Sequence, residues 1–530
     1  MRNIQINVVK KYILFPIMTE QPLKELSIFV GEECIYEFRI PIAEGEEIYC
    51  FQYYAPVSLE KYVGHKISIE GEVSDAFLEA ISFCDSIPQK SDSHPIIHFT
   101  PNTGWLNDPN GFYFREGMYH LYFQHNPMNT IWGNMTWGHA VSRDLLHWEQ
   151  RESVLYPDEE GHMFSGSAII NERGLLGLPK DTPLFFYTVA GNLSSWCDGK
   201  KYMQKLAYSL DNGNTLQKAQ TVVPHIDGDN RDPKVYWHDE SKGYYMVLYL
   251  DKCEFAILRS ENLSNWTITQ RLELEGAKEC PDLVKVPVEG GGRKWMFWCA
   301  DGFYYLGEFD GYIFTQTEPP KQAYLSSLPY AAQTCWGEER VISIPWLRCG
   351  NNGRTYTGAM GIPRELSLVH NESGYKLRQN PIREIENYQR KIDVKCADGD
   401  SFIFSCDTNL AINAVLQPSH QDFVMSFGKV EIRYDHKEKN LQVTGCCKQK
   451  YEEYWRKAEQ SQINSADYMK EILMEDSPEM IEVLFDHEIL EITIDGGLGC
   501  AAFEIAFRKG KTDTPMEIHT KGMAEVFEIA

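Results

Sequence analysis

Trp105-Leu106-Asn107-Asp108-Pro109-Asn110-Gly111 is the stretch from which the fold can be read, because four later segments repeat its character of a short polar motif set ahead of apolar strands. These are Phe164-Ser165-Gly166-Ser167, Arg231-Asp232-Pro233, Glu279-Cys280-Pro281 and Tyr330-Ala331-Ala332-Gln333. Between them, strand-like runs recur, such as Tyr119 to Phe123, Leu184 to Val189, Tyr244 to Leu250 and Lys294 to Cys299. Two copies also end in a Ser-x-Asp/Asn-Leu-x-x-Trp turn, at Ser142 to Trp148 and Ser260 to Trp266. A period of roughly 50 to 65 residues with about four short strands per copy describes the blades of a β-propeller. If each motif opens the innermost strand of its blade, all five point to the same end of one axis. Acids as distant in sequence as Asp108 and Glu279 then meet in one pocket.

Outside this repeat the chain changes character twice. Residues 1–92 alternate short apolar runs with polar turns and are expected to form a small N-terminal β domain, closed by a polar boundary at Pro88 to Pro95. The run Tyr12 to Met18 follows Lys10 and Lys11 as in a signal peptide, but Pro16 interrupts it and no small-residue cleavage site follows, so it reads as a strand. Residues 93–380 are assigned to the five-bladed propeller and 381–530 to a C-terminal β-sandwich, giving an all-β protein. Within the last part, Tyr451 to Met474 is rich in Glu, Lys, Gln and Ala and is expected to be a helical insertion.

Composition narrows the function. The 530 residues are 43% hydrophobic and 24% charged, as in globular proteins, and no run approaches the roughly 20 apolar residues of a membrane span. Fifty-one basic against 76 acidic residues give a formal charge of −25, which opposes nucleic acid and anionic membranes and favours a neutral partner. Fourteen cysteines lack zinc spacing or a dense disulfide framework and point to reduced thiols in a cytoplasm. Sequons such as those at Asn134 and Asn265 carry no weight there. His94, His98, His125 and His139 show no metal-binding spacing, so neither metal nor cofactor is expected. Gly290-Gly291-Gly292 reads as a hairpin and not a phosphate cradle.

An isolated acid beside a turn is ordinarily a cap or an Asx-turn. Three acids at equivalent phases of a repeat are a different matter: two can act as nucleophile and general acid across a glycosidic bond, about 5 to 5.5 Å apart in retaining enzymes, while the third holds hydroxyls. Proline after Asp108 and Asp232 stiffens the backbone at each. Gln124 can hold a hydroxyl, and Trp132 can pack on a sugar face or belong to the core. Arg231 can orient its neighbouring acid or the sugar. Cys280 lacks the His and Asn context of a thiol nucleophile.

These motifs, with Tyr122 to Pro127, Trp132 to Ala140 and Ile362-Pro363-Arg364-Glu365-Leu366, resemble those of the family 32 glycoside hydrolases, the invertases, levanases and inulinases that cleave β-fructofuranosides. The stretch Leu490 to Gly497 is similar to the end of that family's trailing sandwich. The resemblance implies that Asp108 attacks the anomeric carbon of a fructofuranosyl unit, that Glu279 protonates the leaving oxygen and then activates water, and that Asp232 holds ring hydroxyls in the transition state. It further implies that Asn107, Gln124, Trp132, Phe164, Ser165, Arg231, Tyr330 and Trp346 bind substrate. Asp108 must be ionised while Glu279 carries a proton, so the pocket is expected to treat the two carboxyls differently. Ser327-Leu328-Pro329 replaces an acidic and aromatic pair of the family, which bears on the subsite beyond the first fructose. The expectation is an exo-acting β-fructosidase on sucrose, fructo-oligosaccharides, inulin or levan, with homo-oligomerisation open. A fructosyltransferase on the same scaffold and a non-catalytic fructan-binding propeller are the alternatives.

Overall fold

The computed structural model describes residues 2–42, 51–90, 94–372, 374–392, 395–398, 401–406, 410–447, 468–505 and 514–529. Five antiparallel sheets follow one another along its middle, each with four strands in chain order. The first strands are Gly104–Arg115, His162–Ile170, Arg231–His238, Asp282–Pro287 and Pro329–Thr334; four of them contain one of the five polar motifs at or near their start, and Asp282–Pro287 directly follows one. Hairpin connections account for the order: Gly290-Gly291-Gly292 joins Asp282–Pro287 to Arg293–Trp298 with Pro287 opposite Arg293. The first sheet gains a short parallel partner, Tyr356–Thr357, on the free edge of its first strand. The inner strands are largely buried on both faces, as in Pro183–Ala190, which explains their continuous apolar runs, whereas outermost strands such as Gln217–Val223 are mostly exposed.

The first strands are tied to one another by side chains. Gln333 accepts from Phe112 N (3.0 Å) and donates to the carbonyls of Pro109 (3.2 Å) and Gly166 (3.0 Å), joining the fifth sheet to the first and second. Ser167 donates to Pro233 O (2.8 Å) and accepts from Val235 N (3.1 Å), joining the second sheet to the third. Lys234 reaches Asp282 (3.3 Å) and Thr334 O (2.7 Å), joining the third to the fourth and fifth. Two glycines permit this approach: a Cβ on Gly166 would run into the carbonyl of Phe186, and Gly111, at φ +46°, lies against the rings of Tyr122 and Trp137.

The N-terminal part has a four-stranded sheet, with Leu23–Val30 and Glu33–Pro41 at one side, and a three-stranded sheet in which Tyr12–Ile17 is central. Ile13, Phe15, Ile28, Phe38 and Phe77 share one core there, which Met128 of the first sheet's connection enters. The sequence reading passed over the helix Asp75–Ala80, capped by Ser74 Oγ accepting from Phe77 N (3.1 Å). The C-terminal part has a six-stranded and a seven-stranded antiparallel sheet that share one apolar core, including Ile412, Phe423, Ile432, Ile492 and Ile518. Tyr468–Leu473, expected as the end of a helix, is instead an edge strand paired with Asn440–Cys446, whose ladder outweighs the helical composition of the segment. The remainder of that expected helix lies outside the described residues.

Residues 96–98, leading into the first sheet, are fastened to the C-terminal part. Asp486 accepts from the backbone N–H groups of Ile96 (2.7 Å), Ile97 (2.9 Å) and His98 (3.0 Å), and its Oδ2 also meets His98 Nδ1 (2.8 Å). His98 Nε2 lies 3.2 Å from Glu491, which in turn pairs with Arg364. With both ring nitrogens on carboxylates His98 is an imidazolium, and its pKa is pushed up to about 9 against the cost of burial. Glu491 is held down at about 2 by Arg364 and His98, although burial opposes this.

Candidate active site

The site stands where the five first strands begin. Every sheet contributes to a narrow cleft there: Pro109, Ser165, Asp232, Cys280 and Ala332 line it in that order, and Asp108 and Glu279 are the chain neighbours of two of these residues. The strands are not regular at this point. Register shifts fall between Leu106 and Pro109, Met163 and Gly166, Arg231 and Lys234, and Tyr330 and Gln333. Bulges at the same place in four sheets re-aim their side chains toward the common cleft. Two of the residues involved, Asp232 (64°) and Ala331 (50°), have positive φ, as does Cys280 (51°) just ahead of the fourth sheet's first strand, a conformation that costs about 1–3 kcal/mol each for non-glycine residues and is kept where surroundings over-determine it. The stiffening expected from proline is therefore accompanied by a left-handed turn at Asp232, in place of the extended conformation usual before proline.

These bulges, with the turn at Cys280, bring the three acids together. Carboxylate oxygens of Asp108 and Asp232 and the thiol of Cys280 all lie within 4.8 Å of one another. Asp108 Oδ2 accepts from Ser165 Oγ (2.6 Å), is further hydrogen-bonded by Asn107, and lies 3.5 Å from Cys280 Sγ. Asp232 accepts from Cys280 N (3.1 Å), while its own backbone N–H donates to Thr188 Oγ1 (3.0 Å). Glu279 Oε2 receives Arg231 Nε (3.1 Å) and Nη2 (2.5 Å), and its Oε1 receives the Tyr330 hydroxyl (2.9 Å). Arg231 thus serves Glu279 first; its Nε is 3.7 Å from Asp232, and the guanidinium sits 4.5 Å from the ring of Tyr249.

Electrostatics follow from this wiring. Burial, and then the charge of Glu279, push Asp108 above the ordinary carboxylate range. Asp232 is also raised, by burial and by its two acidic neighbours against the pull of Arg231. Asp108 is enclosed, and the guanidinium that could have lowered it is turned to Glu279. The Cys280 thiol is pushed well up by burial and then by Asp108, Asp232 and Glu279, which leaves it a neutral donor to the carboxylates and not a thiolate nucleophile. A thiol held in this way is also a poor metal ligand, since coordination requires the thiolate.

The other residues named from sequence fall into two groups. Gln124 and Trp346 carry buried polar atoms, both ends of the Gln124 carboxamide and the indole N–H of Trp346, with no hydrogen-bond partner among the described residues. Buried polar groups of this kind are normally satisfied, so they suit sugar hydroxyls. Trp132, Phe164 and Trp346 form walls: Trp132 meets Phe164 edge-on (5.9 Å), and Trp346 meets Tyr330 (6.2 Å) and Trp105 (5.9 Å). Asn107 receives Trp105 Nε1 (2.7 Å). The histidines considered for metal lie elsewhere. His94 bonds Thr100, His125 bonds Trp105 O and His139 faces His120. Cys280 itself and Tyr202, which packs edge-on against Phe164 (5.6 Å), are site residues that sequence reading passed over; Cys280 was weighed only as a nucleophile.

Residues 98–381 match the model of the glycosyl hydrolases family 32 N-terminal domain. The Bacillus subtilis levanase is 34% identical over 336 residues, covering 57% of this chain and 49% of that protein. An extracellular exo-inulinase of Aspergillus awamori is 33% identical over 346 residues, covering 54% of this chain and 64% of that protein. The chain thus spans about half to two thirds of these curated relatives. Among solved structures, an exo-inulinase of Aspergillus awamori superposes with a TM-score of 0.69 at 24% identity over 84% of this chain and 99% of its own. A family 32 glycoside hydrolase of Bifidobacterium adolescentis covers all of this chain and 99% of its own at 18% identity, with a TM-score of 0.66. The sheets, the motifs at their heads and the family match agree, and the chain belongs to glycosyl hydrolase family 32.

Proposed function

We propose that this protein is a retaining β-fructofuranosidase that releases fructose from the non-reducing end of sucrose, fructo-oligosaccharides, inulin or levan. The observation that carries the reading is the meeting of Asp108, Asp232 and Glu279 at the heads of three different sheets, with Arg231 and Tyr330 gripping opposite oxygens of Glu279. The two grips aim that carboxyl, as a leaving-group acid requires. Asp108, held by Ser165, attacks the anomeric carbon as the carboxylate, while Glu279 gives its proton to the glycosidic oxygen, which leaves as an alcohol. Asp232 accepts from ring hydroxyls, and water then takes the fructosyl unit from Asp108 with Glu279 as base.

In this reading the five sheets are the blades of a five-bladed propeller over residues 93–380, preceded by an N-terminal β domain (1–92) and followed by a C-terminal β-sandwich (381–530). The substrate is neutral, which suits a chain of formal charge −25, and fourteen cysteines without zinc spacing or a dense disulfide framework suit a cytoplasmic setting. Chromatography of sugars released from sucrose, inulin and levan tests the proposal. Free fructose from at least one of them supports hydrolysis; longer oligosaccharides formed at high sucrose identify a transferase; no release, with binding retained, leaves a binding propeller.

A further inference from the structure

The first strands start at the site and the second strands run back to it, as the pairs Trp105 with Asn126 and Met163 with Val189 show. The segments after the second strands, 127–135 in the first sheet and 191–202 in the second, therefore lie on the rim of the cleft. The first carries Trp132 and the second ends in Tyr202. Phe164, next to the Ser165 that holds Asp108, packs edge-on against both, at 5.9 and 5.6 Å. An aromatic row thus leads outward from the acid pocket toward the 191–200 segment.

The N-terminal four-stranded sheet holds both segments. Asn134 is clasped to the backbone of Arg39, accepting its N–H (2.8 Å) and donating to its carbonyl (2.9 Å), as a strand neighbour would. Glu25 and Glu37, on the same face of that sheet, hold the other segment: Ser195 Oγ donates to Glu25 (2.8 Å) and Glu37 (3.3 Å), and Trp196 N donates to Glu37 Oε1 (3.1 Å). Hydrogen bonds to carboxylates are stronger than neutral ones, and several of them on one short segment fix its path.

We propose that the N-terminal sheet positions the rim of the substrate cleft, with Glu25, Glu37 and Asn134 as positioning residues, and that through the 191–200 segment it sets affinity for fructan units beyond the first. A single fructose fills the acid pocket and ends beside Phe164; a longer chain passes over the rim. This inference rests on the β-fructosidase reading above.

The test uses the full chain with sucrose and with inulin as substrates, comparing wild type with E25A/E37A and E25Q/E37Q. Loss of the acceptors raises KM for inulin by about 5- to 20-fold, with kcat within about twofold and KM for sucrose little changed. The glutamine pair keeps acceptor oxygens and restores most of the inulin affinity. Thermal unfolding of each variant reports whether the fold is retained, and Trp196→Ala supplies an independent variant in the held segment, with the same KM split expected. Wild-type turnover combined with an unchanged inulin KM in E25A/E37A overturns the role of the N-terminal sheet. Equal changes for both substrates, tracking a lowered Tm, overturn it too. A wild type that releases fructose from neither substrate defeats the underlying function instead.

Discussion

Asp108 and Asp232 at the heads of the sheets, and Asp486 and Glu491 beneath the start of the first sheet, are all nearly enclosed, yet the first pair is raised and the second lowered. Burial does not decide the difference. Asp486 and Glu491 are the more enclosed pair, 0% and 4% exposed against 9% and 6% for Asp108 and Asp232. What differs is the company. Burial alone would raise Asp486, but hydrogen bonds from His487 and His98, with backbone N–H groups behind them, overcome it; Arg364 and His98 do the same for Glu491. There two acids meet two cations. At the site three acids share Arg231, which is committed to Glu279, and Asp108 has only a hydroxyl, an amide and a thiol. One cluster is balanced for stability, and the other is left unbalanced where charge must change during reaction.

The comparison breaks most visibly in single carboxamide substitutions. Asp108→Asn is expected to reduce fructose release by about 10⁴-fold, while Tm in calorimetry stays level or rises because a crowded acid is gone. Asp486→Asn is the mirror case: it leaves His98 short of its partner and costs about 3–5 kcal/mol in denaturant unfolding, with the activity of the folded fraction retained. A large loss of stability in the first variant, or of specific activity in the second, would erase the distinction drawn here.

The pH dependence of stability sharpens it. His98, raised to about 9, contributes stability that is complete below its ordinary pKa of about 6.5 and is lost as pH rises through about 9. Glu491 and Asp486, both lowered, contribute stability above the ordinary carboxylate range that is lost as pH falls below it. Asp108 and Asp232, being raised, act in the opposite sense: the folded state binds the extra protons, so they favour folding more as pH falls toward the ordinary carboxylate range. In Tm-against-pH profiles, Asp486→Asn should therefore flatten both the acid and the alkaline decline, and Asp108→Asn should leave the alkaline decline in place and steepen the acid one. A smaller effect is expected from Tyr330→Phe, which removes one of the grips on Glu279: about 10-fold in kcat/KM with Tm unchanged.

The phase of the repeat made the principal site residues legible in sequence, because a motif at the head of each first strand needs no long-range information. Asp108, Phe164, Ser165, Asp232, Glu279 and Tyr330 were placed at one end of the axis that way, while the roles proposed for them came from the family resemblance. The bulges were not legible, nor was the turn at Cys280, since positive φ at Asp232, Cys280 and Ala331 is imposed by neighbouring strands and not by residue type. Nor was the direction of Arg231, whose choice of Glu279 over the adjacent Asp232 depends on a sheet 48 residues further on. His98 was read as an ordinary structural histidine, and its ion pairs span separations of 388 and 393 residues that no local pattern reports. Tyr468–Leu473 shows the converse error, where local composition spoke for a helix and a strand partner prevailed.

The central claim is that Asp108 becomes covalently bonded to the sugar. Glu279→Gln, treated with a fructosyl fluoride whose leaving group needs no acid, should accumulate that species, because the base for the second step is missing. Mass spectrometry of the quenched and digested protein is predicted to find the peptide containing Asp108 heavier by one fructosyl unit, with no such peptide from an Asp108→Asn, Glu279→Gln double variant. A label carried by another peptide, or none at all while the fluoride is consumed, would contradict the account.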